Sequence, residues 1–243
     1  MSRFYVHKEA ISGNKIAVSG KEAHHILDVM RLRVSDAVTV FDGTGKEYAG
    51  VIREAGRSSL SVEITAVRDA APKEGFSVTL IQAIPKKEKM DYIVEKATEL
   101  GVSRIIPAVT SRTIPSWGDS KKEAVVERWR KIAVTAAKQC GRADIPEIAP
   151  IAGIEHAFGS AGNHELKLIA ALSEKAISLK DALKGRRRGS VAVAIGPEGD
   201  FTGQEISLSE KTGFKIVGLG PRVLKSDTAG LAALAAIDYE YRD

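Results

Sequence analysis

A chain of 243 residues with 44% hydrophobic and 28% charged side chains has the balance of a folded protein, and it is long enough for one large domain or two small ones. Its net charge of +5 is modest for a nucleic-acid binder, so the distribution of charge is more informative than its total. No apolar run approaches the ~20 residues that cross a bilayer and the opening MSRFYVHKEA lacks the apolar stretch of a secretory signal, so no membrane partner and a cytoplasmic address are expected. The lone Cys140 excludes an internal disulfide and a cysteine-rich zinc site; it is read as small packing material, and no metal is expected.

Residues 1–72 alternate short strand patterns with turn signals: AVTVF (37–41), the turn Asp42-Gly43-Thr44-Gly45, EYAGVIRE (47–54) and SLSVEITAV (59–67). This is the pattern of a small β-rich module. One helix is expected inside it, capped by Ser19 and running through KEAHHILDVMRL. His24 and His25 are adjacent, so they point in different directions on that helix and do not form a chelating pair.

Near Ala70-Ala71-Pro72-Lys73-Glu74-Gly75 the pattern changes, which places a domain boundary there and a second domain over 73–243. FSVTLIQAI (76–84) reads as a buried strand, followed by a helix over 86–101 whose apolar face is Met90, Ile93, Val94, Ala97 and Leu100, closed by Gly101. RIIPAV (104–109) is the next strand. A loop containing Pro115 leads to a helix over roughly 120–140 with apolar positions Val125, Trp129, Ile132, Ala136 and Cys140. LKLIAAL (166–172), SVAVAIG (190–196) and FKIVGLG (214–220) are further short buried strands, each followed by a loop and a helical segment. Strands alternating with helices imply a mostly parallel sheet covered on both faces.

The basic excess is concentrated between Lys121 and Arg142, where seven basic residues face only Glu123 and Glu127. Arg128, Arg130, Lys131, Lys138 and Arg142 therefore form a candidate phosphate-binding face, although a solvated helix surface has the same appearance.

In parallel α/β sheets a ligand sits beyond the carboxyl ends of the strands, where glycine lets the backbone come close. Two loops fit. Ile195-Gly196-Pro197-Glu198-Gly199-Asp200-Phe201-Thr202 leaves one buried strand. Leu219-Gly220-Pro221-Arg222-Val223-Leu224-Lys225-Ser226-Asp227-Thr228-Ala229 leaves the next and runs into the small-residue helix AGLAALAAIDYE. Neither carries a phosphate-loop or dinucleotide fingerprint, which disfavours a phosphate-rich cofactor.

The motifs GPEGDFTGQE (196–205) and LGPRVLKSDTAGLAAL (219–234) resemble the paired C-terminal signatures of the ribosomal RNA small subunit methyltransferase E family, of the SPOUT superfamily. KMDYIVEKATELGVSRIIP (89–107), ERWRKIAVTAAKQCGRADIPEI (127–148), RFYV and HHILDVMRLRVSD (24–36) resemble it in the same order, so the likeness covers nearly the whole chain. Two departures stand out: the family more often has Gly where Asp200 stands, and an Arg-Thr-Glu-Thr run where Lys225-Ser226-Asp227-Thr228 stands.

The resemblance implies an N-terminal PUA-like β-barrel that binds RNA, a C-terminal α/β domain threaded as a deep trefoil knot, and a homodimer. It implies S-adenosylmethionine as cofactor, held by Ile195, Gly196, Pro197, Glu198 and Gly199 from one loop and Leu219, Gly220, Arg222, Val223, Leu224 and Thr228 from the other, with Leu172 as a third contact. The implied reaction is methylation of uridine N3 in 16S rRNA, within the small subunit or a late precursor. That nitrogen bears a proton and normally faces a pairing partner, so the base must be exposed and deprotonated. Arg222 is assigned to steady negative charge on the uracil carbonyls, and Glu198 or Asp227 to assist deprotonation or orient a partner. Arg31 and Arg33 of the β-module join the basic face as RNA contacts. The residues themselves leave open another RNA acceptor, such as a ribose 2′-hydroxyl or a tRNA base, and a non-catalytic RNA-binding dimer.

Overall fold

The computed structural model describes residues 3–70, 75–86, 89–113 and 118–242. Most of the segment 70–75, where the pattern change falls, and the loop at Pro115 lie outside the described residues. The chain forms two compact units, Met1–Lys73 with Val134–Ile145, and Glu74–Ala133 with Pro146–Asp243.

The first unit contains β1 (Arg3–Tyr5), β2 (Ile11–Ser12), β3 (Lys15–Ser19), α1 (Gly20–His24), β4 (Ala37–Phe41), β5 (Lys46–Ala55) and β6 (Ser59–Asp69). They build a six-stranded sheet in the order β1-β4-β5-β6-β3-β2, antiparallel except for the β1–β4 pair. The alternating pattern read over 37–41, 47–54 and 59–67 is realised as three consecutive strands. Phe4, Ile16, Ile26, Val40, Ile52 and Val62 fill the core under the sheet. Between β5 and β6 the register slips at Ala49/Gly50 and again at Ile52/Glu54; such bulges bend and twist a strand pair.

The helix in this unit is shorter and less regular than its pattern. Ser19 stands at the cap position but makes no side-chain cap bond, and α1 widens into a π-helical turn over His25–Val29. It ends before Arg31, whose φ of 57° is left-handed. The Arg33 guanidinium donates to the Leu27 and Leu32 carbonyls at 2.8 and 3.1 Å, satisfying acceptors that a longer helix would have used itself. His24 pairs with Asp28 at 2.7 Å, and His25 lies edge-on to Phe4.

The second unit contains β7 (Ser77–Ala83), α2 (Lys89–Glu99), β8 (Arg104–Val109), α3 (Asp119–Cys140, which continues into the first unit), β9 (Glu147–Ile148), β10 (Ala152–Gly153), α4 (Ile154–Gly159), β11 (Leu166–Ala170), β12 (Ile177–Ser178), α5 (Leu179–Leu183), β13 (Ser190–Ile195), α6 (Gly203–Lys211), β14 (Lys215–Gly218) and α7 (Ser226–Tyr241). The strand order is β10-β8-β7-β13-β11-β14-β12 with β9 beside β8, and every pair is parallel. Phe158, Phe201 and Phe214 pack with Ile81 and Ile169 on one face. On the other, α7 lies against β7 and β13, close enough that a Cβ at Gly230 would come within 3.0 Å of the Gln82 side chain.

At the end of α2 the expected glycine stop takes a specific form. Gly101 adopts φ 84°, its N–H reaches the Thr98 carbonyl at 3.2 Å, and the Val102 N–H reaches Ala97 at 3.0 Å, the reciprocal pair of a Schellman motif. In α3 the buried face is turned by one position from the expected stripe: Val126, Trp129, Ala133, Ala136 and Ala137 are buried, while Val125 and Ile132 are only partly so. Cys140, read as packing material, is exposed. Trp129 fixes this rotation, because its indole N–H donates to Asp91 at 3.0 Å and its ring is 1% exposed.

Gly50 lies at the first β5 register slip, where a Cβ would sit 2.5 Å from Val62 Cγ1 and 2.6 Å from the Glu63 carbonyl oxygen. Because one of these atoms is backbone, it cannot yield cheaply. Gly50→Ala is expected to destabilise the protein by about 1–3 kcal/mol, read as a lowered urea midpoint; an unchanged midpoint would mean the strand pair is looser than its geometry.

Candidate active site

The parallel order places the carboxyl ends of β11, β13 and β14 side by side, and the three loops leaving them enclose a cavity of about 320 Å³. A pocket of this size suits a small organic molecule. Of the residues expected to hold a cofactor, Leu172, Ile195, Gly196, Pro197, Glu198, Leu219, Gly220, Arg222, Val223 and Leu224 line it. Gly199 and Thr228 do not. Gly199 faces Arg112, whose guanidinium donates to the Gly199 carbonyl and whose Cδ would lie 3.2 Å from an added Cβ. Thr228 is exposed, whereas Ser226, two residues before it, and Ala229, one after it, line the cavity from the start of α7.

Leu172 and Val223 are 69% and 74% exposed, far more than side chains of their type usually are. Both sit at the cavity mouth, as apolar surface awaiting cover would. Gly220 has φ 119°, open only to glycine without strain. The cavity wall thus combines close-approach backbone with loose apolar side chains.

The charged groups fall into a pattern not visible in the motifs. Lys89, at the start of α2, lies 3.3 Å from Glu198 and 3.7 Å from Asp227. Glu198 also accepts from the Lys86 N–H at 3.2 and 3.3 Å. Burial pushes the Glu198 carboxyl up, but its own and the Lys86 backbone N–H groups and the Lys89 ammonium outweigh burial and hold it below the usual carboxylate range. A carboxylate so engaged is better suited to fixing loops than to accepting a proton. Lys89 is separated from these partners by more than a hundred residues, and no local signal could have found it.

Glu205 is a second residue that the sequence reading passed over. It is 5% exposed, closes a capping box with Thr202, and accepts from the Ser111 N–H at 2.8 Å. It thereby fastens the loop after β8 to the start of α6. The signal was present in Thr202-Gly203-Gln204-Glu205, the Thr-x-x-Glu pattern of a helix start. Burial pushes this carboxyl up, and the N–H donors from Ser111 and Thr202 outweigh burial and bring it below normal.

Most of the expected RNA-binding residues are engaged in ion pairs or hydrogen bonds within their own unit. Arg128 is paired with Asp91 at 2.6 Å, and Arg130 with Glu127; these and the exposed Lys131 belong to the second unit. Lys138 pairs with Glu22 at 2.6 Å and Arg142 with Asp144 at 2.5 Å, both within the first unit. Arg31 is exposed, and Arg33 is held to backbone carbonyls as described.

Glu205 provides a test with a defined sign. Its lowered pKa contributes stability that is present above the pKa of the unfolded carboxyl and lost as pH falls through the folded value. Glu205→Ala strands two N–H donors and should cost about 1–3 kcal/mol at neutral pH. Glu205→Gln should flatten the loss of thermal stability between neutral and acid pH; a wild-type acid limb in that variant would remove Glu205 from the account.

Comparison with known proteins gives a consistent result. The model described as an RNA methyltransferase domain matches residues 72–238, and that of an RNA methyltransferase PUA domain matches residues 18–65. The ribosomal RNA small subunit methyltransferase E of Mycobacterium bovis is 30% identical, over 96% of this chain and 90% of its own length. That of Bacillus subtilis is 29% identical, over 92% and 90%. The crystal structure of the enzyme of that name from Neisseria gonorrhoeae, bound to S-adenosyl methionine, is 31% identical with a TM-score of 0.85, covering 98% of this chain and 97% of that one.

Proposed function

Because the chain belongs to the ribosomal RNA small subunit methyltransferase E family, we propose that it methylates N3 of one uridine in 16S rRNA, using S-adenosylmethionine held in the cavity between the three loops. The observation that carries this reading is the convergence of Leu172, Gly196 and Gly220 on one cavity of about 320 Å³. The chain's own residues fit the cofactor: glycine-rich main chain for hydrogen bonds, apolar Leu219, Val223 and Leu224 for a flat ring, and charged Glu198 for a polar end. When bound, the cofactor supplies a methyl group already activated by its sulfonium.

The protein's part is to align, to exclude water and to handle one proton. Arg222 lines the cavity and steadies negative charge on the uracil carbonyls. Glu198, fixed by Lys86 and Lys89, orients the loop. Asp227 lies near the same ammonium, in the first turn of α7, and has an Oδ1 atom without a hydrogen-bond partner among the described residues. Of the two carboxylates it is the less engaged by hydrogen bonds, and it is assigned the N3 proton although Glu198, and not Asp227, lines the cavity.

The threaded chain belongs to the same reading. The strand order supports it: β14 lies beyond β11, yet the chain then returns to seat α7 on β13 and β7. A homodimer is supported by α2 and α7, which pack together and expose Tyr92 and Tyr239 at 51% and 84%. The domain assignment is 1–72 for RNA binding and 73–243 for methyl transfer. Among the described residues no helix is long and apolar enough to cross a membrane, which suits a cytoplasmic enzyme acting on the small subunit or a late precursor.

The direct test incubates undermodified small subunits with the protein and methyl-labelled cofactor, then digests the rRNA for mass spectrometry. Label on N3 of one uridine is expected; label on a ribose or on no nucleotide would refute the assignment. Arg222→Ala should lower turnover by about 100-fold or more while changing cofactor affinity by no more than about 3-fold. Unchanged turnover would exclude Arg222 from the chemistry. Reversing Arg128, Arg130 and Lys131 to Glu should weaken RNA binding about 10-fold or more and flatten its salt dependence, with cofactor binding intact. Equal RNA affinity would remove that stretch of α3 from the interface.

A further inference from the structure

We propose that Asp200 makes the cavity select the positively charged methyl donor over its neutral demethylated product, an inference that rests on the cofactor assignment above.

Asp200 stands in the loop after β13 with φ 62°, one of three left-handed positions occupied by a residue other than glycine among the described residues. This backbone costs a side-chain-bearing residue of order 1 kcal/mol, least for Asp and Asn, so the side chain must return something. One return is structural. Oδ2 accepts the Leu172 N–H at 3.0 Å, tying the end of β11 to the loop after β13, and Oδ1 accepts the Phe201 N–H at 2.8 Å.

The second return follows from where the carboxylate is held. Asp200 lines the cavity between two groups assigned to the cofactor: it is bonded to Leu172, and its Oδ1 would lie 3.2 Å from a Cβ built on Gly196. The donors to the carboxylate are backbone N–H groups of Leu172 and Phe201, which orient it without neutralising it. A carboxylate offers about four lone-pair directions; two are used, and capacity remains on a group that faces the cavity.

The donor carries a positive sulfonium that the product has lost, while the ammonium and carboxylate of the amino-acid portion are common to both. A fixed negative charge in a partly desolvated cavity therefore attracts the donor more than the product. The consequence is functional: product leaves more readily than donor, which limits inhibition as product accumulates. Asp200 acts through charge and position and takes no part in bond making.

Asn tolerates the same left-handed backbone and keeps one acceptor for Leu172, so Asp200→Asn separates charge from geometry. Titration calorimetry on the full-length wild type and Asp200→Asn would use S-adenosylmethionine and S-adenosylhomocysteine as probes. The variant is expected to bind the donor about 3- to 10-fold more weakly and the product within about 2-fold of wild type. Asp200→Gly, which relieves the backbone but cuts the tie to Leu172, should weaken both ligands and show the same loss of preference. If Asp200→Asn weakens both ligands by one factor, the carboxylate reads the shared ammonium or only braces the loop, and the proposal fails while the cofactor assignment stands. An Asp200→Asn protein that binds both as wild type overturns it equally. A wild type that binds neither would overturn the cofactor assignment itself and this proposal with it.

Discussion

Everything in the second unit depends on the side-by-side placement of three strand ends whose loops leave backbone groups facing a common space. A parallel sheet sends each strand's carboxyl end to the same edge, and neighbouring strands whose connections leave that edge in different directions open a crevice there. Here β13, β11 and β14 are consecutive in the sheet although far apart in the chain. Gly196 lets its loop fold closely onto Asp200 and Phe201, and Gly220 supplies a backbone turn with φ 119°.

Such loops would be costly to leave loose, because ordering them on binding would subtract from affinity. The structure fastens them with carboxylates. Asp200 ties the loop after β11 to that after β13, Glu198 ties the latter to the approach to α2, and Glu205 ties it to the loop after β8. Each accepts backbone N–H groups in charge-assisted hydrogen bonds, which are stronger than neutral ones. Lys89 adds the counter-charge at the point where Glu198 and Asp227 approach one another. The cavity is therefore preorganised by electrostatics around its rim and by apolar packing beneath, where Phe158, Phe201 and Phe214 support the strand ends.

The legible part of this architecture was the part written in local periodicity. Strand runs such as AVTVF and RIIPAV, and the Gly101 stop, correspond to observed elements because their signals lie within a few residues. The two Gly-Pro loops were legible for the same reason. What escaped was set by contacts distant in sequence. Trp129 rotated α3 by one position to reach Asp91, 38 residues away. The basic run of α3 looked like a free cationic face, but acidic partners from elsewhere in each unit pair with much of it. Asp200 could be seen as unusual, yet only its left-handed backbone and its bond to Leu172 give that residue a physical reason.

The central claim is best tested by a crystal structure of the protein grown with S-adenosylhomocysteine. The account requires the ligand to lie against the main chain of residues 196–198 and 219–224 with Leu172 and Val223 folded over it. A ligand bound elsewhere, or these loops separated and open in the presence of saturating ligand, would contradict it.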